Sequence, residues 1–263
     1  MEVFKRQSQR RLHAETITQQ HQIHLGMSTR VGGVSKGNYT SLNTGLHVGD
    51  RDLDVIENRT RVLNEMNRSL SQAVFAEQVH GNKVSVVERL DAGRGAYSLT
   101  NHVPDVDGLV TTSSDIVLAQ FYADCVPLYF FDPVHHIIGI AHAGWKGTAK
   151  GIARTMLEAC LSVGADLNHI HVVIGPAIAQ AHYQVNSDVV KQMPVTTDED
   201  IVVQVSEDQY LLDLKAVNAK YLRLLGVNDD QIITSLLDTY SHPDLYSYRK
   251  EQQTGRMMGY IFQ

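Results

Sequence analysis

The chain has 263 residues, of which 43% are hydrophobic and 20% are charged, with a formal net charge of −6. This composition predicts a folded globule, and the acidic balance argues against a nucleic-acid-binding protein that works by neutralising phosphates. Two cysteines are too few for a disulfide framework, and no window approaches the roughly 18 apolar residues of a membrane-spanning helix. We therefore expect small-molecule ligands, no nucleic acid or membrane partner, and a reducing, cytoplasmic location.

The first quarter of the chain is predicted to contain a tail, a loop region and one helix. Residues 5–11 hold a basic cluster with no apolar signal-peptide core beside it, and we interpret them as part of a solvated tail. Residues 28–50 are rich in glycine and polar side chains and predict a loop. Residues 52–67 place apolar side chains on one helical face behind an aspartate cap, so they predict a helix.

Short β-rich runs dominate the rest of the chain. Strands are predicted at residues 73–80, 83–90, 107–112 and 116–123. They are followed by an apolar hairpin turning at residues 133–134, helices at 148–163, 187–193 and 213–225, and strands at 169–175 and 255–263. Several strand pairs are joined too tightly for helical crossovers, which favours an α+β fold with mixed or antiparallel sheets. No linker or repeat divides the chain, so we expect one domain over residues 1–263.

Cys125 and His142 flank the predicted hairpin. If they face each other, Asp132 pairs with His135 and Pro133-Val134 forms a two-residue turn. In this register their Cβ atoms would lie roughly 5 Å apart on one face. That separation lets a sulfur and a ring nitrogen bind one metal ion, and it equally lets the imidazole take the thiol proton and leave a nucleophilic thiolate.

His80 is the candidate third ligand, because it ends a predicted strand at a glycine turn. A set of two histidines and one cysteine would leave a fourth position open for water or substrate, as in catalytic zinc sites. The chain has neither a CxxC nor an HExxH motif. The pattern alone therefore leaves three alternatives open: a metal site, a thiolate site, or residues that merely pack and form hydrogen bonds.

Eight segments spread over nearly the whole chain form a specific set of motifs. They are NTGLHVGD (43–50), ENR (57–59), QVHGNKV (78–84), PDVDGLVT (104–111), ADCVPLYFFDP (123–133), IAHAGWKGTAKGI (140–152), IGPAIAQAHYQV (174–185) and SYRKEQQTGRM (247–257). This set resembles the YfiH/YlmD family, the laccase-domain or polyphenol oxidase proteins that are now regarded as purine nucleoside phosphorylases. The chain departs from many relatives at His182 and Asp238, where cysteines are common in the family.

The resemblance implies that His80, Cys125 and His142 form the family's zinc site. It implies phosphorolysis of adenosine, inosine and methylthioadenosine to the free base and a ribose 1-phosphate, together with deamination of adenosine. The implied partners are purine nucleosides and phosphate, with a homodimer as one option. The implied fold is a layered α/β/β/α arrangement, similar to the catalytic domain of cytotoxic necrotising factor.

Six further residues in or beside these motifs are candidates for substrate binding. They are Asn43, Arg59, Gln78, Asp124, Lys146 and Arg249. The first three are candidates for contacts with ribose or base, with an exposed helix position as the alternative for Arg59. Asp124 is a candidate for hydrogen bonding to a metal ligand or for carrying a proton. The alternative is that it only forms a turn at the start of a strand. Lys146 and Arg249 are candidates for binding phosphate.

Three other functions compete with a zinc-dependent nucleoside phosphorylase. A copper-dependent polyphenol oxidase would need several HxH pairs, whereas only HIH at residues 169–171 has that spacing. A metal-free thiol hydrolase would use Cys125 with His142. A non-enzymatic metal-binding module is the third alternative. Cys160 lies on the apolar stripe of a predicted helix and is predicted to be a core residue.

Overall fold

The structure is a computed structural model that describes residues 1–195 and 200–263. The strands are β1 (Lys5–Arg6), β2 (Arg11–His13), β3 (His24–Ser28), β4 (Ala73–Phe75), β5 (Val84–Val86), β6 (Gly108–Thr111), β7 (Val117–Tyr122), β8 (Val126–Asp132), β9 (Ile137–Ala143), β10 (His171–Ile174), β11 (Gln184–Val185), β12 (Val202–Ser206), β13 (Gln209–Leu212), β14 (Ile232–Thr234) and β15 (Met257–Phe262). The α-helices are α1 (Glu15–His21), α2 (Asp52–Asn64), α3 (Trp145–Ala149), α4 (Ile152–Ser162), α5 (Ser187–Lys191), α6 (Leu214–Leu224) and α7 (Tyr248–Glu251). None of the described helices is long and apolar enough to cross a membrane.

Two six-stranded mixed sheets form the centre of the molecule. The first has the order β1-β2-β3-β15-β7-β4 and the second has the order β14-β10-β8-β9-β6-β5. Most neighbours are antiparallel, whereas β4 with β7, β5 with β6 and β10 with β14 are parallel. A third, smaller sheet has the order β11-β13-β12 and shares no strand pairing with these two among the described residues. The predicted α+β fold with mixed sheets is confirmed.

The two large sheets pack against each other and are covered by helices on their outer faces. Between the sheets, Met27 and Leu118 of the first contact the same core as Tyr129 and Ile140 of the second. Helix α4 covers the outer face of the second sheet with α6 beside it, and α2 covers the outer face of the first. The resulting layers are α/β/β/α, as the family resemblance implies.

Strand β8 shows how this layering follows from sequence. Leu128 and Phe130 point to the helical layer, and Tyr129 and Phe131 point to the space between the sheets. Alternate side chains of a strand face opposite sides of the sheet, so a strand buried on both faces must be apolar throughout. Each large apolar side chain buried in this way contributes roughly 1.5 to 3 kcal/mol.

The hairpin register differs from the prediction. The observed pairs include Pro127 with His142 and Asp132 with Ile137, so the turn has four residues, 133–136, instead of two. The Asp132 Oδ1 atom accepts hydrogen bonds from the backbone N–H groups of Val134 and His135, which stabilises the longer turn. The shift of two residues leaves Cys125 and His142 on the same face, because side chains alternate with a period of two.

The predicted helix at residues 148–163 is interrupted. Gly151 has φ = +82° and separates α3 from α4. A positive φ is readily adopted by glycine and strained for most other residues. Helix α6 matches its prediction: the Asp213 side chain caps its start, and Gly226, with φ = +97°, follows its end.

The interpretation of the N-terminal segment as a solvated tail is wrong. Strands β1 and β2 pair with each other, and β2 pairs with β3 of the first sheet. Arg10 and Arg11 both form ion pairs with Glu65, which follows α2, and Arg11 is only 7% exposed. A carboxylate distant in sequence anchors this basic cluster, which local charge patterning cannot reveal.

His13, buried on β2, makes the fold sensitive to acid. Burial, reinforced by the nearby Arg11 charge, lowers the pKa of His13 from 6.5 to about 4. The unfolded chain therefore binds this proton first, and stability present above pH 6.5 is lost as the pH falls towards 4. We expect the free energy of unfolding to decrease by roughly 1 kcal/mol per pH unit over this window because of this group. In urea unfolding series over this pH window, the free energy of unfolding should decrease less in His13→Gln than in wild type. His136→Gln alters an exposed residue of the hairpin turn, and its free energy of unfolding should change with pH as that of wild type does.

Candidate metal centre

The structure brings His80, Cys125 and His142 together. Cys125 directly precedes β8, His142 lies in β9, and His80 lies in the turn that follows β4. One ligand atom from each of the three lies within 4.8 Å of the others. The rings of His80 and His142 are perpendicular, with centroids 4.7 Å apart. We refer to these three residues as the metal-ligand trio.

Asp107, just before β6, holds two members of the trio in place. Its fully buried carboxylate accepts a hydrogen bond from His142 Nδ1 at 2.9 Å and from the backbone N–H of His80 at 3.0 Å. The backbone N–H groups of Val79 and Gly81 also donate to it, at 3.2 and 2.6 Å. A carboxylate can only accept here, so Nδ1 of His142 carries the proton and Nε2 remains available to an ion.

Sequence reasoning missed Asp107, although it lies within the quoted PDVDGLVT motif. The available signal was its position at the entrance to β6, beside the strand that carries His142. A carboxylate that accepts a hydrogen bond from a histidine ligand, and so orients its ring, is common in metal sites.

Without an ion, two members of the trio, Cys125 and His142, form a pair of opposite charges. Burial opposes ionisation of Cys125, but the imidazoles of His142 and His80 outweigh it and lower the thiol pKa to about 6. Burial likewise opposes protonation of His142, but the Cys125 thiolate and Asp107 raise its pKa to about 9. Cys125 is therefore a thiolate at neutral pH, which is the form that binds metals and attacks electrophiles.

The donor set and the space around it fit a metal ion. One thiolate and two imidazoles are ligands typical of zinc, and they leave a fourth position open. Gly144 forms one wall of the site: a Cβ atom there would lie 3.0 Å from Cys125 Sγ and 3.2 Å from His80 Cδ2. A side chain at this position would therefore crowd two of the three ligand residues.

Two cavities meet at the trio and share His80, Ala123, Cys125 and Tyr248, whereas His142 lines only the first. The first, of about 380 Å³, is also lined by Arg256, and we call it the arginine chamber. The second, of about 640 Å³, is also lined by Trp145, and we call it the aromatic chamber. A metal ion held by the trio would therefore be accessible from both sides.

Two of the predicted substrate-binding residues have structural contacts around the arginine chamber. Gln78 lines the chamber, but its amide group donates to the backbone oxygen of Phe121 and accepts from the Phe121 N–H, at 2.8 and 2.7 Å. Asn43 is fully buried and accepts a hydrogen bond from the backbone N–H of Arg256 at 2.9 Å. These two amides position their neighbours around the chamber.

Arg59 is fully buried, so the alternative of an exposed helix position is wrong. It donates to the backbone oxygens of Thr44, Gly95 and Ala96 at 2.7 to 2.8 Å. The Nε and Nη1 atoms thus donate to the protein's own backbone, whereas the buried Nη2 atom has no hydrogen-bond partner among the described residues. Sequence reasoning gave no sign of these loop contacts.

The other three candidates border the aromatic chamber. Asp124, with φ = +89°, accepts hydrogen bonds from the Thr239 hydroxyl at 2.7 Å and the Arg249 N–H at 2.6 Å, tying the C-terminal segment to the site. The Arg249 side chain lies over the ring of Tyr183, 5.0 Å from its centroid, and donates to two backbone oxygens. Lys146 lines the same chamber. Arg256, which sequence reasoning missed, is the arginine that lines the other chamber.

Comparison with known proteins decides the family. The model of the multi-copper polyphenol oxidoreductase laccase family matches residues 24–263. The chain belongs to this family. Its relatives include the purine nucleoside phosphorylase YlmD of Bacillus subtilis strain 168, which is 42% identical over 94% of this chain and 91% of that protein. A Staphylococcus aureus N315 purine nucleoside phosphorylase, SA1030, is 34% identical over 99% of this chain and 98% of its own length.

A solved structure supports the same assignment. The crystal structure of YlmD from Geobacillus stearothermophilus superposes on this chain with a TM-score of 0.96 and 36% sequence identity, covering 100% of this chain and 99% of the other. The resemblance inferred from the sequence motifs is therefore confirmed. The family assignment also supports an enzyme of the purine nucleoside phosphorylase kind.

Removing the charge of Asp107 should weaken metal binding. In Asp107→Asn, an NH2 group that cannot accept hydrogen bonds replaces one carboxylate oxygen. The side chain can therefore no longer accept from both the His142 ring and the backbone N–H groups of residues 79–81. Loss of such a partner typically costs about 10- to 100-fold in metal affinity or activity. Competition with a zinc chelator would measure this loss. Asp105→Asn, on an exposed carboxylate two residues away, is the matched control and should bind zinc as wild type does.

Proposed function

We propose that the chain is a zinc-dependent purine nucleoside phosphorylase that acts on adenosine, inosine and methylthioadenosine and also deaminates adenosine. The observation that carries this proposal is the thiolate and two-imidazole trio where the arginine chamber and the aromatic chamber meet. The names of the relatives support the same activity. A reducing compartment such as the cytoplasm suits an enzyme that needs Cys125 as a free thiolate.

The arginine chamber is the proposed phosphate site. Arg256 forms no ion pair with a carboxylate of residues 1–195 and 200–263, and its Nη1 atom donates to the backbone oxygens of Thr254 and Gly255. The rest of the guanidinium fork is left to bind an anion. Lys146 and Arg249 lie beside the other chamber and are proposed to contact the nucleoside side of the site.

The aromatic chamber is the proposed nucleoside site. Trp145, Tyr183 and Tyr248 line it, and flat aromatic rings are suited to stacking on a purine. Its volume of about 640 Å³ is in the range of cavities that hold small ligands.

In the proposed reaction, phosphate replaces the base on the ribose. An oxygen of phosphate forms a bond to the anomeric carbon, the bond from that carbon to the base nitrogen breaks, and a proton from the phosphate passes to the departing base. Arg256 holds the phosphate and the aromatic chamber orients the nucleoside. Bound zinc would supply a Lewis acid and a water of lowered pKa, the latter for deamination. Asp107 keeps His142 in the orientation that presents Nε2 to the ion.

One observation favours a second candidate function, a metal-free thiol hydrolase. Cys125 and His142 form a thiolate and imidazolium pair without any ion. Such an enzyme would work in the presence of a chelator and form a covalent adduct at Cys125. Phosphorolysis that requires zinc would exclude it as the main activity.

The deciding experiment incubates the zinc-loaded protein with adenosine, inosine or methylthioadenosine, with and without phosphate, and identifies the products by mass. The proposal expects free base and a ribose 1-phosphate only when phosphate is present, and inosine from adenosine. Parallel reactions contain a chelator, or copper with a phenol and oxygen. Phenol-dependent oxygen consumption without phosphorolysis would overturn the proposal in favour of a polyphenol oxidase.

Arg256→Gln should weaken the use of phosphate selectively. We expect roughly a 10- to 100-fold rise in the KM for phosphate, because a charged hydrogen-bond donor to an anion is lost. The KM for the nucleoside should change much less. Arg249→Gln, in the other chamber, is the matched control, and an equal effect on phosphate in both variants would contradict the assignment of the arginine chamber.

A further inference from the structure

A second group of metal-ligand side chains lies at the other end of the β8–β9 hairpin. It consists of Asp132, His135 and His169, whose ligand atoms all lie within 4.8 Å of one another. Asp132 lies seven residues after Cys125 along the hairpin, which corresponds to roughly 20 Å of strand. The two groups therefore cannot share one ion, and the proposed phosphorylase activity makes no use of the second.

Asp132 is a rigid part of this group. Its side chain is fully buried at the end of β8, and each oxygen is held by backbone donors: Oδ1 by Val134 and His135, Oδ2 by Asp166 at 2.9 Å. Oδ2 also accepts from His135 Nδ1 at 2.7 Å. A carboxylate fixed in this way keeps its position whether or not an ion is present.

His169 is fixed by the segment that leads into β10. Its backbone N–H donates to the oxygen of Asp166 at 2.9 Å. The amide of Gln231 donates to the oxygens of Leu167 and Asn168 and holds the preceding residues. The antiparallel pairing of β10 with β8 sets this segment beside Asp132. The Asp132 carboxylate and the backbone of His169 are thus positioned by the framework of the second sheet.

An independent observation points to a ligand. The Nδ1 atom of His169 is shielded from solvent and has no hydrogen-bond partner among residues 1–195 and 200–263. Buried polar atoms without a partner are rare in native proteins. The His169 and His135 rings lie 5.7 Å apart, between centroids. His135 is exposed in the turn, with 40% of its side chain accessible, so its ring has room to rotate towards an ion.

We propose that Asp132, His135 and His169 form a second metal site that binds a divalent ion of the zinc class. One carboxylate and two imidazoles suit Zn²⁺, Co²⁺, Ni²⁺ or Cu²⁺, whereas Mg²⁺ and Ca²⁺ prefer oxygen ligands throughout. On binding, the neutral His135 ring would change tautomer, its proton leaving Nδ1 and Nε2 gaining one by exchange with solvent, and the hydrogen bond from Nδ1 to Asp132 would be replaced by one bond from each residue to the ion. The ion would join turn 133–136 to the segment that precedes β10, which is a structural role.

The test uses the untagged full-length protein and Co²⁺ as the probe. Metal content after gel filtration into metal-free buffer gives the stoichiometry, and the absorption spectrum separates the sites, because only the trio contains a thiolate that can transfer charge to cobalt. We expect two equivalents for wild type and one for His135→Asn, with the thiolate band unchanged. His136→Asn is the matched control: it alters the neighbouring exposed histidine of the same turn and should keep two equivalents.

Thermal unfolding provides a second measurement. Since an ion that binds only the folded state stabilises it, the Co²⁺-induced rise in Tm should be smaller in His135→Asn than in wild type and His136→Asn. A single equivalent in wild type that carries the thiolate band, or two equivalents with an undiminished rise in Tm in His135→Asn, would overturn the proposal. Because His135 is exposed, loss of folding would not obscure the result.

Discussion

Replacing Cys125 by alanine is expected to reduce phosphorolysis of adenosine by roughly a thousand-fold, the scale on which active sites lose rate when a central electrostatic group is removed. Cys125 supplies the only sulfur of the metal-ligand trio, and its thiolate is paired with both imidazoles. Two histidines alone bind zinc weakly, so the protein should also lose its ion. Steady-state kinetics and metal analysis on the same preparation would record both losses.

Cys160→Ala is the control, because it removes the other cysteine of the chain. Cys160 is 1% exposed and packs in the core between α4 and the second sheet. Burial raises its thiol pKa to about 12, so it has no thiolate character at neutral pH. This variant should keep its zinc and its activity and lose only about 1 kcal/mol of stability. Wild-type activity in Cys125→Ala would show that the trio is not the active centre.

Arg59→Met should destabilise the protein by about 3 to 5 kcal/mol. The guanidinium group is fully buried and packs against the rings of Phe75 and Phe121, 4.4 and 4.6 Å from their centroids. Methionine matches its apolar stem but leaves the three backbone oxygens that it binds without donors in the interior. Each unsatisfied buried acceptor costs roughly 1 to 3 kcal/mol.

Urea unfolding would measure this difference. Arg61→Met, two residues further along α2, is the matched control, because Arg61 forms an exposed i,i+4 ion pair with Glu57. Such a pair contributes about 0.3 to 0.5 kcal/mol. A comparable loss of stability in the two variants would contradict the structural role of Arg59, and a loss confined to nucleoside affinity would restore it as a substrate-binding residue.

The position of Arg59 on a buried face was available in the sequence. Val55, Arg59 and Val62 lie at spacings of four and three on α2, which places them on one side of the helix. The buried face of α2 carries an arginine because the loops opposite it present unpaired backbone oxygens. Those loops, residues 43–45 and 95–96, are far apart in sequence and show no local pattern, so the partners of Arg59 could not be predicted.

The candidate metal centre was predictable in part. Cys125 and His142 follow from the hairpin, even with its register wrong by two residues, because such a shift keeps both side chains on one face. The prediction of His80 as a ligand depends on the family resemblance as much as on the glycine turn beside it. Asp107 and Arg256 reach the site through long-range packing of separate strands. Local periodicity carries no information about such contacts, so they needed the structure.

The place of β15 in the first sheet has a consequence for biosynthesis. This strand pairs with β3 on one side and β7 on the other. Until residues 257–262 have left the ribosome, a nascent chain holds β3 and β7 with unpaired edges and an open gap between them. Exposed edges invite association with other chains. The first sheet can therefore close only after these residues have emerged, and until then a growing chain would benefit from chaperones that shield those two edges.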